Sequence, residues 1–298
     1  MHNHSHHQSH QSSRIAWAFF LNVSFTIIEF IGGWLTNSTA IMADAVHDLG
    51  DSLSIGLAWL LSKLSEKDAT ADYSYGYRRF SMLGALLNGV VLIGGSVWIL
   101  TEAIPKLFDP EMPNAEGMLG LAILGVVVNG YAAFKLSAGT TLNEKVLNWH
   151  LIEDVLGWVA VLVVAIVLIF VDCPILDPIL SIAFTIFILI NVFRNLGVTM
   201  KLFLQASPSA ESYQAIRSLL LSFDEISEIH HFHLWSLDGE HHVMTVHLVL
   251  HAFITPEEQL TLKNNIGASL ETYNLKHTTI EFEFPSETCR DQEQDDTH

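Results

Sequence analysis

The sequence predicts a chain in two parts of different fold class: an all-α membrane domain of six transmembrane helices, then a cytoplasmic α+β domain of ferredoxin-like αββαβ order. Three observations carry this reading. Of 298 residues, 50% are hydrophobic and only 15% charged, and the mean hydropathy of +0.36 is foreign to soluble domains. Six apolar runs, each long enough to cross a hydrocarbon core that takes about 20 helical residues, occupy the chain up to about residue 200. Beyond Lys201 no apolar run exceeds a few residues, and short amphipathic segments take over.

Taken in order, residues 1–14 (MHNHSHHQSHQSSR) are polar and histidine-rich, without the apolar core or cleavage site of a secretory signal, and are expected to form a disordered tail. The membrane domain, 15–202, holds runs at Ile15–Leu35, Ile41–Leu64, Phe80–Phe108, Gly117–Leu136, Val146–Val171 and Ile175–Leu196. Ser207, Pro208 and Ser209 mark the boundary region of a soluble domain assigned to 203–285. There Ala210–Phe223 has helical spacing, Ile229–Leu237 and His242–His251 alternate as strands, and Thr278–Phe284 reads as a third strand. Between the last two, Thr255 caps a helix whose first turn holds Pro256, Glu257 and Glu258. Residues 286–298 are an acidic tail.

Charge orients the chain and excludes partners. Nine basic residues near the span ends (Arg14, Lys63, Lys67, Arg78, Arg79, Lys135, Lys145, Arg194 and Lys201) lie on one side and only Lys106 on the other, which places both termini in the cytoplasm. With 32 acidic against 14 basic residues, a net charge of −18, nucleic acid is a poor partner and cations are natural ones. The excess is uneven: −6 up to Leu202 and −12 from Phe203 onward, on the cytoplasmic side. Cys173 and Cys289 form no CxxC or other metal-ligand spacing.

Ionisable side chains at bilayer depth cost about 2.5–3.5 kcal/mol each on insertion scales, so each needs a partner or a function. In the second run His47 and Asp51 stand four apart, one helical turn above the other; in the fifth, His150 and Asp154 repeat the spacing. Two helices presenting these pairs supply four N and O donors, the tetrahedral set that suits Zn2+, with cadmium, cobalt and nickel compatible with the same atoms. One such pair would be read as an interhelical ion pair or hydrogen bond. Two in one membrane domain point to a cation site. Asp44 shares the face of His47 as a candidate outer group, Asp48 points about 100° away toward another helix, and Asn22 and Glu29 read as a structural network in the first run.

The stretch from Asn37 to Asp51 (NSTAIMADAVHDLGD), with His150 and Asp154 and the later HHFHLWSL, resembles the cation diffusion facilitator family, in particular its zinc-transporting branch of the bacterial zinc and cadmium efflux type. The likeness covers nearly the whole chain. It implies a homodimeric antiporter of the bacterial cytoplasmic (inner) membrane that exports zinc from the cytoplasm, with cadmium or cobalt as further cargo, against protons by alternating access. It also places the transport ligands at His47, Asp51, His150 and Asp154.

The family's loop site, an acidic residue and two histidines in a pattern like HSFGH, is replaced here by Asp72-Tyr-Ser-Tyr-Gly-Tyr77; the rings are expected at the membrane interface and Arg78 and Arg79 as anchors or dimer contacts. By strand alternation His231 and His233 share one face and His230 the other. The resemblance implies Zn2+ ligands in the soluble domain at His230, His247, Glu281 and Glu283, a domain that holds the dimer together and senses cytosolic metal. The N-terminal histidines read equally as a zinc collector or as a solvated tail. An enzyme is disfavoured: there is no HExxH and no nucleophile paired with a histidine. The remaining alternative is a membrane metal sensor or receptor whose intramembrane zinc is structural.

Overall fold

The computed structural model describes residues 5–65, 67–136 and 142–289; side chains of residues 5–18, 142–150 and a few scattered positions lie outside the description. The elements run α1 (Ser5–Thr36), α2 (Thr39–Ser65), α3 (Phe80–Lys106), α4 (Ala115–Leu136), α5 (Leu142–Phe170), α6 (Leu176–Phe203), α7 (Ala210–Leu220), β1 (Ile226–Ser236), β2 (His242–Leu250), α8 (Pro256–Leu270) and β3 (Leu275–Glu283). They divide into one compact unit of residues up to 61 with 84–196, and a second of 62–83 with 197 onward.

In the first unit the helices form the membrane domain. Four stretches among the described residues are long and apolar enough to cross a membrane: Phe80–Lys106, Ala115–Phe134, Leu151–Phe170 and Leu176–Phe203. Helices α1 and α2 have 32 and 27 residues, ample length at about 1.5 Å per residue, but α2 is diluted by Asp44, His47, Asp48 and Asp51. Helix α1 begins at Ser5, ahead of Ile15, so the onset of apolar residues marks where the apolar stretch begins and not where the helix begins.

The turn from α1 to α2 is closed by a left-handed residue. Asn37 has φ +55°, and the amides of Ser38 and Asn37 donate to Gly33 (3.0 Å) and Trp34 (3.2 Å), the two bonds of a Schellman motif. Asp177, in the first turn of α6 and 1% exposed, then caps α2 from outside. Its carboxylate accepts from the Ser38 hydroxyl (2.5 Å), the Thr39 amide (2.7 Å) and the Thr39 hydroxyl (2.8 Å), while Ser181 donates to the Thr39 carbonyl (2.9 Å). A buried carboxylate at a helix N-terminus is thereby satisfied by charge-assisted bonds and by the helix dipole. Helices α4 and α5 meet at Trp158, whose ring packs edge-on to Phe25 at 5.7 Å. Gly125 on α4 makes the approach possible, because a Cβ there would lie 2.1 Å from the indole.

The second unit contains the αββαβ domain. Ser209 caps α7 by accepting from the Ser212 amide, and Thr255 with Glu258 forms a capping box on α8 with Pro256 in its first turn. The sheet order is β1-β2-β3; β1 and β2 are antiparallel, whereas β2 and β3 are parallel and joined through α8. Met244, Val246, Leu248 and Leu250 of β2 pack with Ile216 and Leu220 of α7 and Leu262, Ile266 and Leu270 of α8, so the helices cover one sheet face. The strands start earlier than sequence alternation suggests, at Ile226 and Leu275.

The tyrosine segment has partners that its sequence does not name. Tyr75 packs edge-on to Trp235 (6.4 Å between ring centroids) and to His277 (5.2 Å), and the Arg78 Nη1 lies 3.1 Å from His241 Nδ1 and 3.5 Å from Asp238 Oδ2. These two side chains engage the αββαβ domain. Aromatic and guanidinium groups have as much physical reason to stack on protein as to sit at a membrane interface, and the sequence does not distinguish the two surroundings.

Candidate functional site

In the membrane unit, α2 carries His47 and Asp51 on successive turns, and α5 carries Asp154. Their side chains converge: His47 Nε2 is 3.7 Å from Asp51 Oδ2 and 3.9 Å from Asp154 Oδ1, and donor atoms of all three lie within 4.8 Å of one another. Donors on a tetrahedral zinc with bonds of about 2.0–2.1 Å are about 3.3 Å apart, so small rotamer shifts bring this set to coordination spacing. His150 lies on α5 one turn before Asp154; its side chain falls outside the described residues. A cavity of about 230 Å³ opens beside the cluster, lined by Asp44, His47, Glu153, Asp154, Phe184 and Ile188 among others.

Asp44 is 7% exposed and lines that cavity, in line with the outer position expected for it. Asp48 turns toward α1, where the Asn22 amide donates to the Asp48 carbonyl (3.3 Å) and to Ser52 Oγ (3.1 Å), and the Glu29 carboxyl lies against that of Asp48. This is the structural network read from Asn22 and Glu29, now with α2 as its second side. Glu153 is an addition: it neighbours Asp154 in sequence, and only the helix rotation aims it at the cavity.

The sheet of the αββαβ domain builds a second cluster through its register. His230 of β1 pairs with His247 of β2, and His247 pairs with Glu281 of β3, one row across the face away from the helices; Glu283 follows two residues along. His247 Nδ1 is 2.6 Å from Glu283 Oε1 and its Nε2 is 3.6 Å from Glu281 Oε2, while His230 Nδ1 is 3.5 Å from Glu283 Oε2. The structure thus brings all four expected residues together. Burial pushes the Glu283 carboxyl up, but hydrogen bonds from Cys289 and His247 and the charges of His247 and His230 outweigh it, leaving Glu283 below the usual carboxylate range.

Alternation misplaced His231. The register of β1 shifts between His230 and His233, and His231 has φ +47°, a left-handed conformation costing about 1–3 kcal/mol for a non-glycine residue. The extra residue flips the parity, so Ile229, Phe232 and Leu234 all pack with the helices and His230 and His231 turn to the same side. The His231 ring is 5.0 Å from that of His247. A signal existed: apolar residues at 229, 232 and 234 fit no unbroken period of two. Cys289 was missed for another reason, since 42 residues separate it from His247, yet its Sγ lies 3.6 Å from His247 Nδ1.

Two donor clusters, one between apolar helices and one on a small sheet, define an integral membrane protein that handles cations. A family model described as the cation efflux transmembrane domain matches residues 15–204, and one described as the cytoplasmic domain of cation efflux proteins matches 208–284. The chain belongs to this cation efflux, or cation diffusion facilitator, family, and with it to the metal transporters. It is 32% identical over 288 residues to the zinc transporter ZitB of Pectobacterium atrosepticum, covering 95% of this chain and 89% of that protein. It is 31% identical over 284 residues to the cadmium, cobalt and zinc/H(+)-K(+) antiporter of Bacillus subtilis, covering 94% and 91%. To the metal cation efflux system protein CzcD of Cupriavidus metallidurans it is 28% identical over 286 residues, covering 95% and 89%.

Proposed function

We propose that the chain is a proton-coupled antiporter of the bacterial inner membrane that exports zinc, and with it cadmium or cobalt, through His47, Asp51, His150 and Asp154 by alternating access. The observation that supports this most is the approach of His47 and Asp51 on α2 to Asp154 on α5, three ionisable groups held together between apolar helices. Neutral imidazole and ionised carboxylate bind a metal, and the same atoms bind protons, so the two compete for one set of side chains. Facing a neutral cytoplasm the set loads metal. Facing a more acidic exterior, protons displace the metal from the same atoms, and the return step carries protons inward. Helices α1 and α2 complete six spans with both termini cytoplasmic, and the αββαβ domain holds a homodimer together and binds cytosolic zinc through His230, His247, Glu281 and Glu283.

Proteoliposomes provide the test. Zinc added to one side of sealed vesicles should drive both labelled-zinc flux and a pH change, and Asp51→Ala or Asp154→Ala should abolish both. Zinc flux without a pH change would leave a transporter with no proton coupling; no flux in the wild-type protein would favour a receptor with structural zinc.

A further inference from the structure

We propose that Cys289 is a metal ligand of the cytosolic cluster, with His231 as a further donor, so that this site takes a thiophilic divalent cation such as zinc or cadmium through sulfur, nitrogen and carboxylate together. The inference rests on the cytosolic metal site proposed above and adds two residues to it.

Geometry carries the assignment. After β3 the chain reverses at Phe284, where the Glu287 carboxylate accepts from the Phe284 amide (3.1 Å) and the Glu287 amide donates to the Phe284 carbonyl (2.9 Å). That turn returns Cys289 to the sheet face bearing the histidines, where it is 8% exposed. Its sulfur belongs to two sets of donors whose atoms lie within 4.8 Å of one another: His231, His247 and Cys289, and His230, Glu283 and Cys289. A cysteine buried as a small apolar group would be expected among apolar side chains. This one instead meets three imidazoles and a carboxylate that is itself 4% exposed. The bulge points the same way. An extra residue in β1, carried by a histidine in a left-handed conformation, is the device that turns His231 toward His247, and bulges recur where a side chain must be re-aimed.

Imidazole and carboxylate donors around one sulfur suit zinc and cadmium and disfavour magnesium and calcium, which take oxygen. On binding, the Sγ–H proton passes to solvent as the sulfur–metal bond forms, and the His247–Glu283 hydrogen bond gives way to coordination.

The experiment uses full-length protein in detergent with Cys173→Ser, Asp51→Ala and Asp154→Ala, which leaves one thiol and disables the intramembrane cluster. Cobalt(II) is the probe, followed by visible ligand-field bands and by near-ultraviolet thiolate-to-cobalt charge transfer. The expected result is both sets of bands. Adding Cys289→Ser should remove the charge-transfer band while keeping ligand-field bands at weaker affinity, and adding His231→Ala should weaken binding at least about tenfold. Ligand-field bands with no charge transfer before the Cys289 change would overturn the sulfur assignment and leave the histidine and carboxylate site standing. The absence of all cobalt bands would overturn the site itself. Cys289→Ala, which adds no polar group, controls for packing: its metal-free unfolding temperature should match that of the parent.

Discussion

His47 on α2 and Asp154 on α5 stand 3.9 Å apart, Nε2 to Oδ1, so a polar contact joins two membrane helices. Asp154→Asn keeps the side-chain volume and one oxygen but removes the charge. Zinc affinity should fall by more than the roughly 10–100-fold that loss of a ligand's supporting partner costs. Isothermal titration of the purified protein measures it. An unchanged affinity would place the cargo site elsewhere.

Asp177 accepts from both the amide and the hydroxyl of Thr39, and it also takes the Ser38 hydroxyl. Removing it leaves buried donors at the start of α2 without a partner, each worth about 1–3 kcal/mol. Asp177→Ala should therefore destabilise the membrane unit strongly and Asp177→Asn less, read as thermal unfolding in detergent. Its partners Ser38 and Thr39 lie at the start of α2, about two turns before His47, so residual transport in Asp177→Asn should keep its metal selectivity.

Gly125 and Trp158 make a steric pair. Gly125→Ala places a methyl carbon 2.1 Å from the indole, and overpacking of this kind costs about 1–3 kcal/mol. Trp158 sits one turn beyond Asp154 on α5, so the shift should also weaken metal binding. Trp158→Phe in the same chain should recover stability, a coupling that a double-mutant cycle reads directly.

Asp238 gives a pH dependence. Burial alone would raise its carboxyl, but the backbone amides of His241 and Glu240, then the His241 side chain and its charge, hold it below the usual carboxylate range. A group depressed in the folded state contributes stability that is fully present above its unfolded value of about 3.9 and is lost as pH falls through its lower folded value. Asp238→Asn should thus lower the unfolding temperature at neutral pH by the equivalent of about 1–2 kcal/mol. In acid the two proteins should converge.

Zinc should stabilise the folded chain by mass action, about 2.7 kcal/mol at a free concentration a hundred times the dissociation constant. In Asp51→Ala, Asp154→Ala protein the gain that remains belongs to the αββαβ domain. Glu283→Gln and His247→Ala should remove it, with calorimetry in the presence and absence of chelator as the readout.

Much of this was legible from spacing alone. The i, i+4 pairs at His47 and Asp51 and at His150 and Asp154 name their helices and share a face by helical period, and the capping box at Thr255 and Glu258 is a local signature. The soluble domain was less so. Alternation held for β2, where His247 stands opposite Leu248, but failed at His231, because a bulge inserts one residue and every later side chain changes face. The partners of Tyr75 were not legible for a related reason: a ring that suits a lipid interface also suits Trp235 and His277.

The sequence by itself determined which helices bear ionisable groups, which residues they are, where the apolar helices give way to a small α+β domain, and how its excess acid is distributed, since hydropathy and period act locally along the chain. Only the tertiary structure decided that Asp177 caps a helix 138 residues away, that Glu153 faces the cavity, and that His231 and Cys289 join His230, His247 and Glu283. Those relations depend on strand register, a bulge and the return of a chain end. Each is settled by packing between distant segments, which no local pattern encodes.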